Sequence, residues 1–271
     1  MEKSKVICDT NIWYNLSDNK IDPKVANENH LVATFYTFEE LNTTYNILKD
    51  SDKVIKASQA IVKFSSEQIL ENAILYLILS IDKSFIDERY TYNLGMRNWN
   101  EVRLLSKTQL GIQFPKWVID MYKENIKNRE KESIDIAKAE NLLSDSVRQK
   151  AKKEYKTDKQ KYFDTVAKNI VSLLGQYLKE FTNGRIEFPQ DYDFGQIELF
   201  LNAYVEYFFK LDVGGMRVQP NDAYDLYNLI YVKPGMKYWT LEKRWQRIIE
   251  DSGTGAYLFD PLNTKTTSAP M

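Results

Sequence analysis

At 271 residues the chain is long for one average domain and short for two well-separated ones, so one core carrying an elaboration is expected. Apolar residues make up 43% and charged residues 28%, with 37 Lys and Arg against 38 Asp and Glu, which argues against disorder and against a basic, nucleic-acid-coating protein. A single histidine, His30, and a single cysteine, Cys8, exclude a disulfide framework, a structural zinc site and any triad needing a second histidine, while the first of ten glycines is Gly95, too late for a phosphate-cradling loop in a first βα unit.

Val6-Ile7-Cys8 reads as a short strand that ends in Asp9, and Ile12, Trp13 and Leu16 follow at helical spacing. A second apolar run, Leu31 to Phe35, leads to Thr37 and Glu40, which have the spacing of a capping box. This β-α-β-α rhythm predicts an α/β core with a parallel sheet. From about 53 to 183 the chain reads as almost wholly helical, with Pro115 its one proline and a buried face through Ile69, Ala73, Tyr76, Leu77 and Ile81. Between Lys123 and Lys161 there are 12 Lys and Arg against 8 Asp and Glu, as on long solvated helices. Ile197, Leu201, Tyr204, Val205 and Phe208 suggest a further helix face ending at Gly214-Gly215. Asn221 is expected to cap a helix through Val232, followed by a strand over 236–240, a helix over 241–250 and a last strand over 256–259. The apolar run 6–8 is too short for a signal peptide, and the longest one, Ala73 to Leu79, cannot span a bilayer, so a cytoplasmic protein without membrane contact is expected.

Four acids fall where this layout converges: Asp9 after the first strand, Glu40 in the second helix, Asp225 in the helix before the last main strand, and Glu242 just after it. The carboxyl ends of parallel strands share one edge, where α/β folds build sites. Clustered carboxylates call for a cation, and hard oxygen ligands select Mg²⁺ or Mn²⁺. Such an ion activates water for phosphodiester hydrolysis. Thr10, Asn11 and Thr240 are expected to orient carboxylates or water, with Asp222 beside them.

Val6-Ile-Cys-Asp9-Thr10-Asn11 resembles the opening strand and DTN motif of the PIN-domain nucleases. Glu40-Leu41, Asp225-Leu-x-x-Leu and Tyr238-Trp-Thr240-Leu-Glu242 are similar to its three later acidic elements, with Glu242 standing where the family usually has Asp. The resemblance implies a PIN-like three-layer core, a short parallel sheet flanked by helices, over 1–82 and 193–262. A helical insertion or arm would fill 83–192 and a flexible tail 263–271. It also implies a metal-dependent ribonuclease that cleaves single-stranded RNA to leave a 3′-hydroxyl and a 5′-phosphate.

Simpler roles stand beside these. Asp9 also serves as a helix cap after a strand, Glu40 as the capping-box glutamate, and Asp222 takes the place of Asp225 if its helix is turned. The aromatics Trp13, Tyr14, Tyr224, Tyr238, Trp239 and Trp245 are either core or stacking platforms for bases. His30 is expected in a loop without chemistry. Lys150, Lys152 and Lys153 are candidate RNA phosphate contacts. The competing function is a catalytically weak PIN-like module that binds RNA or protein through its helical arm. A toxin held by a protein inhibitor is a third reading, and a homo-oligomer is compatible with each.

Overall fold

The computed structural model describes residues 3–87, 91–141 and 145–262, without the side chains of 132–148. The tail expected over 263–271 lies outside the described residues. Apolar Val6, Ile7 and Cys8 are wholly buried in strand β1 (Lys5–Cys8), as a strand covered on both faces must be. Asp9 caps helix α1 (Thr10–Ser17), and Asp22 with Pro23 starts α2 (Pro23–Glu28). Strand β2 (His30–Thr34) runs straight into α3 (Phe35–Thr43). The hydroxyl of Thr34 accepts from Thr37 N, so the cap lies three residues before the expected Thr37–Glu40 box. His30 is likewise a strand residue, with Nε2 3.2 Å from Glu67 Oε2.

Helices α4 (Asn46–Lys49) and α5 (Ser51–Phe64) lead to a strand that the helical reading missed, β3 (Ser65–Ile69). Its Ser-Ser-Glu-Gln-Ile sequence has one apolar residue, because it is an edge strand with little to bury. Then come α6 (Ala73–Ile81), α7 (Thr91–Ser106), α8 (Lys116–Asn141), α9 (Asp145–Thr157) and α10 (Lys159–Phe181). Gly95 in α7 is required by close approach, since a Cβ there would lie 1.8 Å from the Leu70 carbonyl oxygen. The chain continues through α11 (Glu198–Asp212), α12 (Asp222–Asn228), β4 (Lys237–Trp239) and α13 (Lys243–Asp251).

Three details of the final third differ from expectation. The buried side of α11 carries Leu199, Phe200, Ala203, Tyr207 and Leu211 beside the expected Val205, while Leu201, Tyr204 and Phe208 are only partly buried on the same core and the buried Ile197 lies in the 3₁₀ turn before the helix starts at Glu198. Asn221 makes no side-chain cap, and the carboxylate of Asp222 itself takes Gln219 N at 2.8 Å. Residues 255–257 form a 3₁₀ turn, and the expected last strand is reduced to one bridge between Tyr238 and Leu258.

All four strands are parallel, in the order β3-β2-β1-β4. Alternate residues feed opposite cores: Ile7, Val32 and Tyr238 face one, while Val6, Cys8, Leu31, Ala33 and Trp239 face the other. The chain is therefore α/β, with helices on both faces of a parallel sheet. The segment 83–192 contributes to both cores, with Val102, Leu105, Tyr122 and Ile126 on the second and Ile170, Leu174, Leu178 and Ile186 on the first. Among the described residues no helix is long and apolar enough to cross a membrane.

Candidate active site

The strand order reverses at β1: β2 and β3 lie on one side of it, and β4 returns on the other. The crevice beyond the carboxyl ends of β1 and β4 is where open α/β sheets accept ligands. Asp9 follows β1 directly and donates its backbone N–H to Trp239 O of β4 at 2.9 Å. Its side chain is locked. Oδ1 accepts from Thr10 N at 2.6 Å, and Oδ2 accepts from Thr240 Oγ1 at 2.8 Å and from Asn11 Nδ2. Asn11 Oδ1 accepts from Leu241 N at 3.1 Å, so the turn after β1 is fastened to the turn after β4. Thr10 lends its backbone N–H, whereas Asn11 and Thr240 act through their side chains.

Glu40 is carried by α3, which the burial of Phe38 and Leu41 orients and which the Thr37 hydroxyl ties to Cys8 O at 3.4 Å. Asp225 on α12 accepts from the indole N–H of buried Trp245 at 2.8 Å. Glu242 precedes α13, with its backbone N–H on Thr240 Oγ1 at 3.1 Å and its carboxylate 3.6 Å from Arg244 Nε. Asp9, Glu40, Asp225 and Glu242 line one cavity of about 590 Å³, together with Arg129 and Arg244.

Asp222 also borders this cavity but is otherwise employed. Only 1% exposed, it forms a two-pronged ion pair with Arg244 and accepts from Tyr207 Oη at 2.7 Å and Gln219 N at 2.8 Å. That pair meets the condition under which a buried charge is tolerated, a counter-ion plus hydrogen bonds on the remaining lone pairs.

The other acids are not so neutralised. Burial, then the charge of Glu40, raises the Asp9 carboxyl to about 7 against the hydrogen bonds from Thr240 and Thr10. Burial, then Asp9, Glu242 and Glu40, holds Asp225 well above the carboxylate range. Burial also raises Glu242, with Arg244 opposing it. The cavity thus favours taking up a proton or a cation. Hard carboxylate oxygens suit Mg²⁺ or Mn²⁺ in donor type. In spacing they are more open: among the described residues no three His, Cys, Asp or Glu side chains are grouped closely enough to hold a metal ion.

Comparison with known protein families, curated proteins and solved structures finds no significant match. The reading of the site therefore rests on its own geometry.

Two site residues escaped sequence reasoning. Arg129 arrives from α8, its guanidinium 4.9 Å from the Tyr224 ring and 2.5 Å from Thr43 Oγ1, and nothing local in the sequence marks it. Arg244 sits two residues past Glu242 in the run Glu242-Lys243-Arg244, and cations directly after a candidate acid were the available signal. Of the aromatics, Trp13, Tyr238, Trp239 and Trp245 are core, and Tyr224 lines the cavity. Lys150, Lys152 and Lys153 are exposed on α9, which packs on α10 and α11, and none lines the acidic cavity.

Proposed function

We propose that the chain is a metal-dependent endoribonuclease of the PIN type, hydrolysing phosphodiester bonds in single-stranded RNA. The observation that carries this reading is a buried Asp9, fixed by Thr10, Asn11 and Thr240 at the point where strand order reverses, in one cavity with the carboxylates of Glu40, Asp225 and Glu242. Asp9, Glu40, Asp225 and Glu242 would hold Mg²⁺ or Mn²⁺, which when bound supplies Lewis acidity and an activated water. Asn11 and Thr240 orient Asp9 by hydrogen bonds to a single oxygen, which fixes the direction of its remaining lone pairs. Trp245 does the same for Asp225. Arg244 cancels the charge of Asp222 and leaves that of the other acids for the ligand. In the absence of a cation, burial and the charge of Glu40 favour the protonated form of Asp9.

A second reading has its own support. The open spacing of the acids, and Glu242 leaning towards Arg244, favour a catalytically weak module that binds RNA or a protein. Purified protein with Mn²⁺ should cleave single-stranded RNA, EDTA should stop it, and Asp9→Asn should slow it by about 10³-fold or more while retaining the fold. Cleavage by Asp9→Asn at the wild-type rate, in a preparation free of other nucleases, removes the nuclease reading and leaves the binding module.

A further inference from the structure

A second cavity, of about 600 Å³, lies between the end of α11 and the outer side of α13. Its charged walls are Lys210, Lys243, Arg244 and Arg247, and no acid lines it. The shape follows from local sequence. Helix α11 closes at Gly214-Gly215, where Gly215 takes φ +74° and Met216 N bonds back to Lys210 O at 2.9 Å. Helix α13 buries Trp245, Ile248 and Ile249, and this leaves Lys243, Arg244 and Arg247 neighbours at three- and four-residue spacing on the remaining side.

The four cations are not equally engaged. Lys210 is held by Glu206 at 3.1 Å and Asp251 at 2.6 Å, and Arg244 by Asp222. Lys243 reaches only a neutral partner, Gln246 Oε1 at 3.2 Å, and exposed Arg247 forms no ion pair among the described residues. Arg244 lines this groove and the acidic cavity alike, so the two meet at its side chain.

We propose that this groove carries the phosphate backbone of a single-stranded RNA, entering from the acidic cavity past Arg244 and running over Lys243 and Arg247. A cavity in which five carboxylates outnumber Arg129 and Arg244 repels a polyanion, and a strand that crosses it needs cations on the adjoining surface. The groove supplies two uncommitted ones next to the junction. Single-strand binders of this type combine a basic groove with the backbone track, and their affinity falls with salt. The direction of the strand rests on the nuclease reading above; the binding of RNA in the groove does not.

The test uses the full chain in EDTA, which prevents cleavage, and the fluorescence anisotropy of a labelled oligouridylate at several salt concentrations. Wild-type protein should bind, and Lys243→Glu with Arg247→Glu should weaken binding at least about tenfold. The log–log salt slope should become shallower by about 0.7 for each phosphate that is no longer neutralised. The milder Lys243→Ala with Arg247→Ala, checked by circular dichroism, should do the same to a smaller degree. Reversal of Lys150, Lys152 and Lys153 to Glu should cost less than the groove pair. Unchanged affinity and slope in the groove variants overturn the proposal, as does a larger loss of affinity in the α9 triple variant. A polyglutamate peptide that binds as tightly, with the same dependence on Lys243 and Arg247, overturns it in favour of an acidic protein partner. Thermal melting with Mn²⁺ on the same samples separates the two ideas: groove variants should keep the wild-type metal response, and a wild-type chain that binds RNA but not metal defeats the nuclease reading alone.

Discussion

Near the amino end of the sheet, Glu67 of β3 takes Lys5 Nζ at 2.7 Å and stands 3.2 Å from His30 Nε2, while beyond its carboxyl end Asp9, Glu40, Asp225 and Glu242 share one cavity. The first acid is half-exposed and matched by basic side chains from β1 and β2. In the second group Asp9 is buried, Glu40 and Asp225 are half-buried and Glu242 is exposed, and there burial and mutual repulsion push Asp9 and Asp225 towards protonation. A fold selected only for stability would pair or disperse such charges. Here one end of the sheet does so and the other leaves Asp9, Glu40 and Asp225 together, as the proposed ligand site would require.

The acidic cavity contains its own internal control, Asp222, and breaking it should produce the largest stability effect. Arg244→Ala strands a carboxylate that is 1% exposed, a loss of about 3–5 kcal/mol in chemical denaturation. Lys5→Ala at the other end removes a half-exposed pair and should cost at most about 1 kcal/mol. Equal costs would dissolve the contrast between the two ends.

A smaller effect comes from titration. The folded Asp9 carboxyl is raised to about 7 from an ordinary 3.8, by burial first and Glu40 second. The folded chain therefore keeps a proton that the unfolded chain releases, so this contribution to stability is full below about pH 4 and is lost as pH rises through about 7. In EDTA, wild type should lose stability relative to Asp9→Asn across that window by a few kcal/mol, read from paired melting curves. Parallel curves for the two proteins would mean that Asp9 titrates alike in the folded and unfolded chain.

How much of this was legible in the sequence follows from how local each cause is. Val6-Ile7-Cys8 before Asp9 is a continuous apolar run ending in a cap, and both features lie within a few residues. Strand β3 was missed because Ser65–Ile69 pairs with β2 through backbone bonds and the polar Glu67–His30 contact, with only Ile69 well buried, so no apolar alternation announces it. The Thr34 cap was displaced by a nearer-looking box at Thr37–Glu40, whose spacing is right but whose first residue is already inside the helix. Arg129 and the Asp222–Arg244 pair depend on packing between helices distant in sequence, which no local pattern carries. The coarse α/β layering was readable for the opposite reason: alternate residues of β1 and β2 are apolar on both faces.

Cation binding separates the two ends most sharply. Metal that binds the folded chain and not the unfolded one stabilises by mass action, by about 2.7 kcal/mol at about 100 times its dissociation constant. Wild-type protein should thus melt higher in Mn²⁺ than in EDTA. Above about pH 7, Asp9→Asn should melt higher than wild type in EDTA, because a repelling charge has gone, and should lose most of the Mn²⁺ response. Glu67→Gln at the paired end should keep that response in full. Glu242→Gln is the discriminating variant: its carboxylate is 43% exposed and lies 3.6 Å from Arg244 Nε, so either a cation draws it inward or Arg244 retains it. A reduced Mn²⁺ response in Glu242→Gln makes it a ligand and the cavity a four-acid site that closes on binding. A wild-type response assigns it to Arg244, leaving Asp9, Glu40 and Asp225 as the metal-binding set and favouring slow turnover. No Mn²⁺ response in the wild-type chain up to millimolar metal would remove the metal site, and with it the reason for gathering Asp9, Glu40 and Asp225 in one cavity.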